Sequence, residues 1–232
     1  MNDQEIDDLY RSLPPSGSES GLDSALLESI RKPILADVKP VRPLPGTIVL
    51  AAAFCLLFAA TAALCAYFLG FAGLHALSPL KRVAVCGFLL ALAVASAFAL
   101  AGRMRPGARG ILPGWALPAI AFAAFEGLFF VLLPDYRLGH YLHSGLICLR
   151  AGLLCALPAA LLAPLLLRRG YVVAPVSTGA AVGLGAGLVG LTVLEFHCPI
   201  ETFPHVAVWH VAIMLISVAI GALSGILSRR LS

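Results

Sequence analysis

Six apolar stretches fill the chain between residues 46 and 228, at about 46–69, 83–101, 113–133, 144–167, 175–196 and 205–228. Each is roughly 20 residues long, enough for a helix to cross a hydrocarbon core of about 30 Å. The pattern predicts an all-α integral membrane bundle of six transmembrane helices over residues 46–232. Residues 1–45 are patterned differently. Ile6, Leu9, Tyr10 and Leu13 recur at helical spacing behind an acidic first turn, and Leu22, Leu26, Leu27 and Ile30 do the same beyond the breaker from Pro14 to Gly21. Isolated helices this short are marginal in water, so the expectation is an acidic, largely disordered tail that folds on a partner. No small-residue cleavage site follows a short apolar core near the start, which argues against a removable signal peptide.

Composition sharpens this reading. The 232 residues are 60% hydrophobic and 12% charged, half the charge of a typical soluble domain at about 25%. The distribution of the basic residues then sets the topology. Arg11, Arg31, Lys32, Lys39, Arg42, Arg103, Arg105, Arg109, Arg168, Arg169, Arg229 and Arg230 fall on one face, leaving Lys81, Arg82, Arg137 and Arg150 for the other. Basic loops are retained in the cytoplasm, so both termini are expected there. The net charge of +4 follows from this asymmetry, and direct nucleic-acid binding is not expected.

Small and polar residues within the spans say more. Gly179, Gly183 and Gly187 form a ridge on the fifth span, and Ser217, Gly221 and Gly225 form another on the sixth. Ridges of this kind let two backbones approach closely. They predict a tight pair between these two spans, and they equally suit a homodimer. Glu126 is an acid inside the third span, and intramembrane acids are costly. It reads either as a proton or ion site or as a carboxyl held by a neighbouring helix. Glu195 and Arg150 both belong near the outer boundary, where they could pair.

The same topology gathers His75, His140, His143, Cys148, His197, Cys198, His205 and His210 on the non-cytoplasmic side. In a bacterium that compartment lets disulfides persist. Cys148 and Cys198 therefore read as thiols open to oxidation, or as ligands joining His143, His197, His205 or His210 around a soft or borderline ion. Packing at a membrane boundary would also explain them. An α-helix turns 100° per residue, so His205 and His210 should point about 140° apart, which disfavours a preformed zinc site. Cys55, Cys65, Cys86 and Cys155 lie in apolar spans and read as packing residues, with Cys155 two turns from Cys148 on nearly the same face. No phosphate-binding glycine loop, nucleophile elbow or catalytic triad pattern is present, so an enzyme is not expected.

The carboxy-terminal half carries a resemblance. Cys148, then Pro-Leu-Leu-Leu-Arg-Arg-Gly at 164–170, Glu-Phe-His-Cys-Pro at 195–199 and Trp209-His210 are similar to the NrsF family over roughly residues 140–230. These are six-helix membrane proteins of bacteria that negatively regulate extracytoplasmic-function sigma factors. The chain departs from the family pattern at His210, where an aromatic often stands, and at Ile200 to Phe203, usually a more acidic stretch. The resemblance implies an anti-sigma factor of the bacterial inner membrane. Residues 1–45, with Ile6, Leu9, Tyr10 and Leu13, would hold the sigma factor. The positions matching the family's two periplasmic cysteines are Cys148 and Cys198, implicated in sensing oxidants or metal; no resident cofactor is implied, and a transient heavy-metal ion at these two thiols is compatible with the pattern. Alternatives are a small transporter or channel using Glu126, and a periplasm-facing metal or thiol-redox membrane protein.

Overall fold

The computed structural model describes residues 28–29, 31–33, 43–105, 113–138, 141–170 and 172–231, and every regular element among them is helical. Ile6, Leu9, Tyr10 and Leu13 lie outside the described residues. The chain divides between Pro43 and Leu44, and the second unit begins with α1 (Thr47–Leu69). A short α2 (Ala72–Ala76) follows, then α3 (Pro79–Arg103), α4 (Ala116–Leu132), α5 (Tyr141–Leu167) and α6 (Pro175–His197). The last run has three parts: a helical turn at Phe203–His205, a π-helical turn at Val206–His210, and α7 (Val211–Leu231).

Among the described residues five helices are long and apolar enough to cross a membrane: α1, α3, α5, α6 and the run Phe203–Arg230. α4 has 17 residues, which span about 25 Å at 1.5 Å per residue. It is shorter than the expected 113–133 because Gly114 and Trp115 form a turn before it, closed by the Ala116 N–H on the Pro113 carbonyl, and Pro134 disfavours helix at Leu133. α3 is longer than expected at its start. Pro79 sits at the first helical position, where its missing N–H costs nothing, so Lys81 and Arg82 belong to the first turn.

The spans are not equivalent. The most apolar window of α6 is 83% buried, against 28% for each of the other four. α6 is the hub, touching α1, α3, α4, α5 and α7, because its small residues let neighbours in on every side. A Cβ on Gly183 would strike the Ser217 carbonyl of α7, one on Gly179 the Gly221 carbonyl, and one on Gly225 the Pro175 carbonyl. Gly187 faces the Met214 backbone. On other faces Gly185 receives the Phe58 ring from α1, and Gly190 lies against the Gly152 carbonyl of α5. Between lipid-exposed helices such close packing replaces the hydrophobic drive available in water.

Phe54, Phe58, Leu100, Leu194 and Ile213 fill one side of α6. Phe125, Phe129, Leu184, Leu191 and Met214 fill the other, with the Phe125 and Phe129 rings stacked at 4.2 Å. A groove of about 950 Å³ runs between α5 and α7 over α6, lined by Arg150, Ala160, Gly179, Ser217 and Ser224 among others. Glu126 is half-buried on α4 and does not line this groove.

Candidate functional site

Three helix ends converge on one cluster. α5 brings Cys148, two turns from its start. α6 brings Glu195 in its last turn, and Cys198 caps that helix, its N–H donating to the Leu194 carbonyl at 2.7 Å. Pro199 then stops the helix, since it cannot continue the hydrogen-bond ladder. The chain returns through Thr202 and re-enters the bundle at His205.

The junction is pinned from several sides. The Phe203 N–H donates to the Asp135 carbonyl at 2.9 Å, and the Phe203 ring meets Phe130 and Tyr136 edge-on. Lys81 and Glu201 approach to 3.8 Å. Gly73 of α2 fits so closely on the Cys198 and Glu195 carbonyls that a Cβ there would collide with both. Trp209 covers Gly145 of α5 in the same way.

The π turn decides the geometry. In an α-helix residues five apart diverge, but a π-helix bonds residue i to i+5 and stacks them along the axis. His205 and His210 are therefore neighbours, with ring centroids 5.2 Å apart and planes at 77°. This corrects the expectation from α-helical periodicity that they point apart. The expected pairing of Glu195 with Arg150 is not formed either. Glu195 Oε1 accepts a hydrogen bond from His210 Nδ1 at 2.6 Å, while Arg150 lines the groove. A carboxylate only accepts hydrogen bonds, so Nδ1 is the donor in this contact, and Nε2 is the ring nitrogen turned away from Glu195. That Nε2 is buried without a well-formed hydrogen bond.

Cys148 Sγ lies 3.6 Å from Cys198 Sγ, and Cys198 Sγ lies 3.5 Å from His205 Nε2. One ligand atom from each of Cys148, Cys198, His205 and His210 falls within 4.8 Å of all the others. Cys198, His205 and His210 are buried and Cys148 is half-buried, so Cys148 is the accessible edge. The Cys198 thiol is held above its ordinary pKa, first by its contact with Cys148 and then by burial, while His205 and His210 pull it down. Both cysteines are free thiols, as are Cys55, Cys65, Cys86 and Cys155.

Two of the anticipated histidines stay outside the cluster. His143 is exposed on α5, and His197 is half-buried at the end of α6. Neither belongs to the four-residue set. His75 is exposed on α2. The sequence offered Arg150 as a partner for Glu195 and did not point to His210, although the place of Glu195 one turn before Cys198 puts both on one helix face.

The arrangement supports two kinds of chemistry. Two thiols in contact can close to a disulfide, whose sulfurs sit about 2.05 Å apart, passing two electrons and two protons to an oxidant. Alternatively, two sulfurs and two imidazoles can ligate an ion.

Neither a curated protein nor a solved structure matches the chain. The family model for NrsF, negative regulator of sigma F, matches residues 35–230. That match takes in every helix from α1 to α7 and the whole cysteine–histidine cluster. The chain belongs to the NrsF family of negative regulators of sigma F.

Proposed function

We propose that this protein is an anti-sigma factor of the bacterial inner membrane, with six spans and both termini in the cytoplasm. Its tail, residues 1–45, holds an extracytoplasmic-function sigma factor away from RNA polymerase. Modification of Cys148 and Cys198 by an oxidant or a metal ion, on the non-cytoplasmic side, releases it. The observation that carries this reading is the family match across residues 35–230. α4 would serve as the sixth span, its 17 apolar residues fitting a locally thinned bilayer.

Cys148 rides on α5 and Cys198 sits where α6 turns towards α7. Joining them moves α5 relative to the hub, and α1, which packs on both α5 and α6, leads back to the tail. Signalling requires two packings with different affinity for the sigma factor. A transporter reading gains nothing from Glu126, which does not line the groove.

The direct test is capture of the candidate sigma factors by the full-length protein in nanodiscs. We expect specific binding that weakens at least tenfold, about 1.4 kcal/mol, when Leu9 and Tyr10 are both changed to Ala. Equal capture by the wild type and the double variant would remove the tail from the mechanism. No capture of any sigma factor would remove the proposal itself.

A further inference from the structure

We infer that Cys148, Cys198, His205 and His210 form a preformed four-ligand site for a tetrahedral ion of the Zn(II) class, with Glu195 as the positioning residue behind His210. This deepens the sensing role proposed above by naming the ligand set and the ion chemistry. It rests on geometry that the primary sequence argued against.

Distances make the first test. Zinc binds sulfur at about 2.3 Å and imidazole nitrogen at about 2.0–2.1 Å in a tetrahedron. Those lengths place two ligand sulfurs about 3.8 Å apart, and a sulfur and a nitrogen about 3.6 Å apart. The structure holds Cys148 and Cys198 at 3.6 Å and Cys198 and His205 at 3.5 Å. These two of the six separations match ligands around a common centre, and the remaining ones all lie within 4.8 Å. Closing a disulfide would need the sulfurs to approach by a further ~1.5 Å.

The second test is the surroundings. A metal-ligating imidazole almost always donates its other ring N–H to a carboxylate or carbonyl, which fixes the tautomer and turns the free nitrogen to the ion. His210 Nδ1 donates to Glu195 in this way, and His210 Nε2 is buried without a well-formed hydrogen bond, with the Cys198 thiol beside the ring. Softness is the third consideration. Two thiolates with two imidazoles suit zinc and softer ions of its geometry, and disfavour Mg(II) or Ca(II), which require oxygen ligands. Binding converts both thiols to thiolates and releases their two protons together with any proton on the ligating ring nitrogens, and the half-buried Cys148 leaves an entry edge. A bound ion and a disulfide exclude each other because they use the same sulfur electrons.

The experiment uses the full-length, reduced protein in nanodiscs, without any sigma factor. Co(II) serves as the spectroscopic probe and Zn(II) as the competitor. We expect one Co(II) per chain with tetrahedral visible bands and a thiolate charge-transfer band, all displaced by Zn(II). Zn(II) should also shield Cys148 and Cys198, but not the other four cysteines, from alkylation. Glu195→Gln keeps a hydrogen-bond acceptor and removes the charge, and should weaken Zn(II) binding about 10–100-fold at a temperature where the apoproteins of wild type and variant are both fully folded. His143→Ala and His197→Ala should bind as the wild type does. Absence of a tetrahedral thiolate spectrum overturns the inference, as does one that survives Cys148→Ser with Cys198→Ser. Either result would leave oxidation as the modification to test against sigma-factor release, so failure here is separable from failure of the regulatory reading.

Discussion

Cys148→Ser or Cys198→Ser should leave the sigma factor bound under a challenge that releases it from the wild type. Serine differs from cysteine by one atom and fits the same space, so resting capture should be unchanged. A hydroxyl neither forms a disulfide nor provides a soft ligand, so the link between α5 and the α6–α7 junction is lost. Couplings of this type change affinity by roughly 5–150-fold. We expect the wild type to lose affinity within that range on treatment with oxidant or Zn(II), and both serine variants to lose none. Sigma-factor dissociation from nanodisc-held protein, followed before and after challenge, reads this directly. Release from either variant at the wild-type level would show that the signal enters elsewhere.

The largest effect on stability should come from Gly183→Val. The Gly183 Cα faces the Ser217 carbonyl, and any Cβ there meets backbone, which cannot swing aside as a flexible side chain would. Overpacking of ordinary cores costs about 1–3 kcal/mol. Separating α6 from α7 would also disturb Gly179 against Gly221 and Gly187 against Met214, so the cost should exceed about 3 kcal/mol. The expected observation is loss of the monodisperse, cooperatively unfolding species in detergent. Gly87→Ala and Gly127→Ala make suitable controls, because a Cβ at either position meets open space, and both should unfold like the wild type. If Gly183→Val also does so, the hub arrangement of α6 is wrong.

Helix content and the placement of the apolar segments were determined by the sequence alone. Burial in a bilayer demands some 20 apolar residues per span with backbone bonds satisfied locally, and that is a property of each segment by itself. The two small-residue ridges were legible for the same reason: Gly179, Gly183 and Gly187 lie on one face whatever surrounds them. Cys148 and Cys198 could be brought to one side of the bundle by counting spans.

The way these pieces met was a tertiary decision. The glycines of α6 make close approach possible, but they do not say which helices will use it or that all of them will. Its place as the buried hub follows from which neighbours those glycines admit on three faces. The meeting of His205 with His210 depends on the π turn at Val206–His210, which adds one residue to a helical turn and advances everything after it by about 100°. No local propensity specifies that insertion. It occurs where Trp209 seats on Gly145 and where α2 packs on the Glu195 and Cys198 carbonyls. The exchange of Arg150 for His210 as the partner of Glu195 has the same origin. The sequence determined which chemical groups were available on this side of the bundle, and long-range packing decided which of them stand within bonding distance.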